Sequence, residues 1–342
     1  MKLAIWSDLH VGCRMYRTDE NNINKYEQAI YKALEDYAEV MINENPDLII
    51  DSGDVFDKAN PSVLAMNKYA RIQQRFERLD IPTMTILGNH DFSFPNRRSK
   101  CSAAAMAYHT YFADYDIKSV DIDDIQFVMM PYIYDKDENI EAYLKKCEEV
   151  AKSNPLTKKV LVTHGVTEKY YKDSFVGDKI MLSDELVSLF NLVIIGHIHT
   201  SFAYKQGNTL VLSPGGLIDY QSYKDSTGPC FVDTDTWQLK KIKVTTPHII
   251  KVDCNEKNIN ETLKNVTYNI YQITYKGDTS KIDNDLFIEA KNKTLNLTIN
   301  PIADEVVETK KVKKTALDII TWVSQNYPDK VDLFIKAKEA TM

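Results

Sequence analysis

Cysteine is scarce and scattered in this chain. The five residues (Cys13, Cys101, Cys147, Cys230 and Cys254) are odd in number, and no two of them form a Cys-x-x-Cys pair. That argues against a disulfide framework and a thiolate zinc site, and leaves them as buried or incidental free thiols. Long apolar runs are also lacking. No stretch approaches the roughly 18–20 residues that would cross a bilayer, and the opening MKLAIWSD holds no secretory apolar region. The expectation is a cytoplasmic protein with no membrane association. Internal repeats and low-complexity tracts are missing too.

Excess positive charge is the last absence. The net charge is -7; residues 240–342 carry 17 Lys/Arg and 14 Asp/Glu (+3), so the remaining 25 and 35 leave residues 1–239 at -10. An acidic shell weakens loose, salt-driven attraction to a polyanion, so such a partner would need bound cations or another protein to be held. Otherwise the 342 residues, 44% hydrophobic and 27% charged, describe an ordinary globular chain with room for one large and one smaller domain.

Short apolar runs recur at Leu3–Trp6, Leu48–Ile50, Met84–Leu87, Phe127–Met130, Val160–Val162, Leu192–Ile195 and Leu210–Leu212. Runs this short fit buried strands better than helices. Between the first ones, Tyr26, Ile30, Ala33, Leu34, Tyr37 and Met41 recur at helical spacing until Pro46, and a second helix begins at Ser62 and passes through Tyr69, Ile72 and Phe76. Strand–helix alternation predicts an α/β fold. Strands dominate after about residue 120, so two sheets stacked as a sandwich and flanked by helices fit better than one open sheet. After Pro247 a β-α-β-α-β pattern (strands Ile249–Val252, Val266–Tyr275 and Leu295–Ile299) predicts a small α+β domain over 246–302, following a first domain over 1–245. Residues 303–314 (ADEVVETKKVKK) read as a charged linker. Residues 315–342 read as two short amphipathic helices, one capped by Thr315 and one begun by Pro328. Their apolar faces dock either on this chain or on a partner's helices.

Five motifs stand where apolar runs end: Asp8-Leu9-His10, Gly53-Asp54, Gly88-Asn89-His90-Asp91, His164-Gly165 and Gly196-His197-Ile198-His199. In α/β sheets, ligands gather outside the carboxyl ends of strands. Five of the seven histidines fall in these motifs; His109 and His248 do not, and read as hydrogen-bonded structural residues. Residues two apart on an extended chain point to one side, so Asp8 and His10 are expected to serve one ion. His197 and His199 either do the same or divide between two ions. Glycines before the ligands permit unusual dihedrals and close backbone approach. Asn89 offers a neutral carbonyl oxygen. His90, one residue on, points elsewhere and is assigned to catalysis, while Asp91 either orients His90 by accepting a ring N–H or caps the next turn.

The metal set Asp8, His10, Asp54, Asn89, His164, His197 and His199 is oxygen and imidazole without thiolate. It is too large for one tetrahedral ion and suits two divalent ions, with Asp54 as the bridge. Two such ions bring +4 against two carboxylates, leaving a positive site for a phosphodiester anion. They would lower the pKa of an attacking water and clamp the non-bridging oxygens in an in-line displacement.

These motifs resemble the calcineurin-like metallophosphoesterase superfamily over residues 1 to about 235. The resemblance implies one ion held by Asp8, His10, Asp54 and His199, a second by Asp54, Asn89, His164 and His197, and His90 as proton donor or leaving-group stabiliser. Within the superfamily, Gly53-Asp54-Val55-Phe56-Asp57 with Gly88-Asn89-His90-Asp91 is similar to the DNA double-strand-break repair exonuclease subunits of SbcD type and their phage recombination counterparts. That implies a homodimeric nuclease using manganese (with magnesium, iron or zinc as alternatives). It also implies binding of DNA and of an SMC-like ATPase of SbcC type through the C-terminal helices. Asp57 stands where some relatives carry a second catalytic histidine. The loop Ser213-Pro214-Gly215-Gly216 matches loosely, and Arg14, Arg17, Arg97, Arg98 and Lys100 are candidate DNA contacts. Against a protein phosphatase stands the lack of Arg-Gly after Gly53-Asp54. A small-molecule or cyclic-nucleotide phosphodiesterase and a catalytically dispensable end-tethering scaffold are the other readings. The first has no use for the chain beyond Pro247, and the second typically loses metal ligands.

Overall fold

A computed structural model describes residues 1–16, 18, 23–92, 109–133, 139–169, 180–218 and 227–302. The linker over 303–314, the C-terminal helices over 315–342, and Arg17, Arg97, Arg98 and Lys100 lie outside these residues. In chain order the elements are β1 (Lys2–Trp6), α1 (Lys25–Asn43), β2 (Leu48–Asp51), α2 (Val63–Arg78), β3 (Thr83–Ile86), β4 (Tyr111–Ala113), β5 (Lys118–Ile122) and β6 (Ile125–Met130). There follow α3 (Ile140–Ser153), β7 (Lys158–His164), β8 (Val166–Thr167), β9 (Met181–Leu182), α4 (Asp184–Val187), β10 (Leu192–Gly196), β11 (Phe202–Gln206) and β12 (Thr209–Ser213). The last are β13 (Cys230–Asp233), β14 (Gln238–Lys241), β15 (Ile249–Asn255), α5 (Ile259–Lys264), β16 (Ile270–Lys276), α6 (Asn284–Lys293) and β17 (Asn296–Ile302).

Two six-stranded sheets carry the main body, ordered β14-β13-β1-β2-β3-β4 and β11-β12-β10-β7-β6-β5. Each has a parallel centre and antiparallel strands toward an edge. Their apolar strands are buried on both faces, which is why they appear in the sequence as unbroken runs. Alternation along β1 divides the work: Leu3 and Ile5 join Ile50, Ile86, Phe127, Val162 and Ile194 between the sheets. Ala4 and Trp6 turn the other way, under α1 and α2. The outer face of the second sheet packs Val128, Leu161 and Val193 against Tyr143, Cys147 and Ala151 of α3. The result is the expected sandwich with helices on both sides.

Local chemistry sets the helix starts. Asn24 caps α1 by accepting from the Glu27 N–H at 2.9 Å, and its amide donates to the Met15 carbonyl at 3.1 Å, pinning the preceding loop to the helix. Ser62 caps α2 by accepting from the Ala65 N–H at 3.1 Å. Beyond the sandwich, β15, β16 and β17 form an all-parallel three-stranded sheet. Ile259, Leu263, Ile273, Tyr275 and Ala290 form its own apolar cluster. The amino-terminal ends of its strands touch α1: Ile249, Ile270 and Leu295 join the cluster of that helix, and the Lys25 Nζ donates to the Asn292 carbonyl at 2.8 Å.

The cluster between the sheets should dominate stability. Phe127 is fully buried there, so Phe127→Ala should cost about 3–5 kcal/mol. Urea denaturation measures it, and a loss below about 1 kcal/mol would contradict this placement.

Candidate metal centre

All five motifs follow or end strands whose carboxyl ends face one end of the sandwich: β1, β2 and β3 from one sheet, β7 and β10 from the other. The first two motif loops run side by side beyond their strands. Asp8 N–H donates to the Gly53 carbonyl at 3.0 Å, His10 N–H to the Asp54 carbonyl at 3.0 Å, and Val11 N–H to the Val55 carbonyl at 2.8 Å. The extended geometry expected for Asp8 and His10 is absent. Both lie in the left-handed region, with φ of 49° and 43°, as do Asp54 at 55° and His197 at 85°. Four candidate ligands thus hold a conformation that L side chains rarely adopt. Asp8 and His10 face the same centre because the chain curls around it, not because it alternates.

Two clusters result, and they share Asp54. Asp8, His10, Asp54 and His199 bring ligand atoms within 4.8 Å of one another, as do Asp54, His164 and His197. Asn89 joins the second: its Oδ1 lies 3.0 Å from His164 Nε2 and 2.8 Å from His197 Nδ1. All seven residues proposed as ligands therefore come together, and His197 and His199 divide between the clusters. His10, Asp57 and His90 form a third group beside the first.

The donor set suits a pair of cations. His10 Nε2 and His199 Nε2 stand 3.1 Å apart, and His164 Nε2 is 3.3 Å from Asp54 Oδ2. Imidazole lone pairs this close to one another need a proton or a positive ion between them. The ligands are also pre-oriented. His164 Nδ1 lies 2.9 Å from the Ser52 carbonyl, where its N–H donates and leaves Nε2 facing the cluster. Asp8 accepts from the Ser7 hydroxyl at 2.7 Å and the His197 N–H at 2.9 Å, and Asp54 accepts from the His90 N–H at 2.8 Å. Tyr132 stacks on the His197 ring, with centroids 6.1 Å apart.

Electrostatics follow from depth. Burial raises the Asp8 carboxyl above its ordinary range, against the pull of His199 and His164. Burial pushes His10 down to about 3, keeping its imidazole neutral. Asp54 is buried as deeply, yet His164 and His10 hold its carboxylate below the ordinary range. Burial works to lower His164 as well, but Asp54 and Asp8 lift it to about 9.

Asp91 accepts from the main chain of the motif loops. Fully buried, its carboxylate accepts from the backbone N–H groups of Gly88 at 2.9 Å, Asp54 at 3.0 Å and Phe56 at 3.4 Å, clamping two motif loops together. The ring of His90 is oriented by Asp57, whose carbonyl lies 2.9 Å from His90 Nδ1. Two supporting residues had no clear signal in the sequence. Asp51 closes an apolar strand, is 1% exposed and accepts from the Gly53 N–H at 3.1 Å; Ser52 contributes only its carbonyl. His109 is structural as expected: burial lowers it to about 3, and it sits 2.9 Å from the Tyr69 hydroxyl and 2.8 Å from Thr85 Oγ1.

Two outcomes can be measured on this centre. At Gly88 an added Cβ would meet Asp54 Oδ1 at 2.3 Å and His164 Cε1 at 2.7 Å, so Gly88→Ala should weaken manganese binding by at least about 10–100-fold; calorimetric titration with wild-type affinity would refute the packing. The sign of the pH effect follows from His164. Its pKa is raised from 6.5 to about 9, so its proton is held through neutrality and must leave before Nε2 can ligate. Manganese affinity should climb from neutrality and level off above about 9; an affinity flat across that interval would contradict it.

Residues 1–201, which contain every motif above, match the calcineurin-like phosphoesterase family. The DNA double-strand break repair protein Mre11 of Saccharolobus solfataricus is 26% identical over 333 residues, covering 91% of this chain and 76% of that protein. Mre11 of Methanococcus maripaludis is 24% identical over 351 residues, covering 94% and 89%. A subunit of the nuclease SbcCD from Staphylococcus epidermidis is 27% identical over 261 residues, covering 70% and 67%. With the family match spanning well over half its length and enclosing the whole ligand set, the chain belongs to the calcineurin-like phosphoesterase family.

Proposed function

We propose that this chain is the nuclease subunit of a DNA repair or recombination complex, hydrolysing DNA phosphodiester bonds at the centre formed by Asp8, His10, Asp54, Asn89, His164, His197 and His199. The observation that carries this reading is the extent of the likeness. The Mre11 proteins of Saccharolobus solfataricus and Methanococcus maripaludis match more than nine-tenths of the chain, and so share the part beyond residue 201 as well as the phosphoesterase core. A phosphodiesterase for small molecules has no evident use for that part.

The division of labour follows from the geometry. A pair of divalent ions held by these residues, manganese in our reading, would supply activation of water and neutralisation of charge on the phosphoryl oxygens. Asp54 is the residue common to both clusters, and we assign it the bridging position. His90 is exposed while the ligands behind it are buried or nearly so, so it stands on the side from which a strand approaches. Its Nδ1–H donates to the Asp57 carbonyl, which leaves Nε2 to pass a proton to the departing oxygen. Asp91 acts through the loops that it clamps.

Residues 1–245 form the catalytic domain in this proposal, and 246–302 a capping domain that contacts DNA. Residues 303–314 are the linker to a helical pair over 315–342, which binds an SMC-like ATPase of SbcC type. The acidic balance of the first part suits an enzyme that works as a homodimer with such a partner inside the cell rather than gripping DNA alone.

Manganese-dependent digestion of linear duplex and single-stranded DNA tests the proposal. His90→Ala should lower kcat by about 10²–10⁴-fold with bound manganese retained. Hydrolysis of a chromogenic diester with no cutting of either DNA would replace it with a small-molecule phosphodiesterase.

A further inference from the structure

Beside the first cluster lies a cavity of about 300 Å³ with two unlike walls. One is polar: Asp8, His10, Asp57 and His90, with Cys13 beside them. The other is apolar and comes from three separate parts of the chain: Met15 in the loop after the first motif, Tyr26 and Ile30 on α1, and Ile218 after the Ser213–Gly216 loop. Nothing in the coordination of metal or the handling of a phosphate calls for that second wall. It is also built rather than incidental. Asn24 holds the carbonyls of Met15 and Tyr16 at 3.1 and 3.4 Å while capping α1, and the Tyr16 and Tyr26 rings meet edge to face at 5.7 Å. Gly216 N–H donates to the His199 carbonyl at 3.2 Å, which ties the segment leading to Ile218 to the metal centre itself. Arg14 lines the cavity with a side chain 55% exposed, its Nε 3.3 Å from Glu27 Oε2.

We propose that this cavity receives the base of the nucleotide adjoining the scissile phosphate, so that the strand is cut with that base unpaired and turned into the protein. The inference rests on the nuclease reading and adds where the substrate lies. Size and composition support it. A volume near 300 Å³ is at the small end of ligand sites, which span about 300–1,000 Å³; it has room for one base. An apolar wall of Tyr26, Met15, Ile30 and Ile218 takes a base by stacking and burial, which any base can satisfy. An imidazole at one wall and a partly exposed guanidinium at another leave the phosphate on the side of the ions. Blunt duplex would then be cut only after its end frays, and single-stranded DNA directly.

The test removes the base instead of the pocket. Single-stranded oligonucleotides carrying one tetrahydrofuran abasic residue at successive positions are digested by the full chain with manganese, and cleavage is mapped linkage by linkage. The linkage whose adjoining base occupies the cavity should be cut roughly 5–100-fold more slowly when that base is missing, the range expected for one stacked base. Met15→Trp, a substitution at a half-buried position, should fill the slot and bring the ratio of native to abasic rates toward one. Equal rates at abasic and native linkages on both sides would overturn this inference and leave the nuclease reading standing. Hydrolysis of bis(p-nitrophenyl) phosphate with no cutting of any oligonucleotide would overturn both.

Discussion

Two carboxylates set the terms for the rest of the site. Asp8 and Asp54 are 2% and 1% exposed, and a buried carboxylate survives only with hydrogen bonds and positive charge around it. Both receive the first from the main chain: His197 N–H donates to Asp8 and His90 N–H to Asp54. The donors come from other motifs, so each carboxylate stitches its own loop to a loop from elsewhere in the sandwich. Positive charge is the remaining requirement. His164 supplies some of it in the protein alone, which is why its imidazole stays charged far above its ordinary range. Two divalent ions would meet the same need more fully and would set that proton free. Metal binding and the stability of this end of the molecule are therefore one problem, with one set of residues answering both.

The backbone carries a cost for this arrangement. Asp8, His10, Asp54 and His197 all have positive φ, and non-glycine residues held in such a conformation cost on the order of 1–3 kcal/mol each. Asp and His tolerate this conformation better than most residues, but four of them around one centre need more than local preference. What holds them is the pairing of the first two motif loops, prolonged to the bridge between Val11 and Phe56, and the carboxylate of Asp91 across the Gly88 and Asp54 amides. Burial and repulsion from Asp54 raise Asp91 to about 7, so this clamp itself sits near the edge of protonation. Rigid sheets on one side and a strained, amide-clamped rim on the other give a centre whose ligands cannot relax away from it.

How much of this could be read beforehand depended on burial. β1, β2, β3, β7 and β10 are covered on both faces, so each appears as an apolar run, and the motifs at their ends came with them. Edge strands were not visible. β5 (KSVDI), β11 (FAYKQ) and β14 (QLKK) bury little and carry charge, which in a sequence resembles a turn. α3 escaped for a related reason: only Tyr143, Cys147 and Ala151 of its fourteen residues are buried, a stripe too narrow to establish a period. The ligand set was legible because its residue types are costly to bury without cause. Its supports were not. Asp91 could be placed next to the site but not given its task, because a task performed on backbone amides of a distant loop leaves no mark on spacing. The carbonyls of Ser52 and Asp57 leave none either, since every residue has one.

Depth orders the site along a single direction. His164 is fully buried, Asp54 and Asp8 nearly so, His10 is 6% exposed, and His90 alone among the motif histidines is open to solvent. The inner groups touch strands and amide clamps; the ring of the outer one meets the Asp57 carbonyl and the edge of the His10 ring. Groups that must hold still are placed where packing fixes them, and His90, to which we assign the proton transfer, is placed where water reaches it. The same gradient answers the difficulty raised by the charge of the chain. A net -10 over residues 1–239 repels a polyanion at long range, and the screened field of a surface cannot be reversed by a few lysines. With two divalent ions bound, this deep centre would carry more positive charge than its two carboxylates neutralise, and would act only within a few ångströms, in a low dielectric where it is strong. Affinity for phosphate would thereby be confined to the place where a phosphoester is to be attacked.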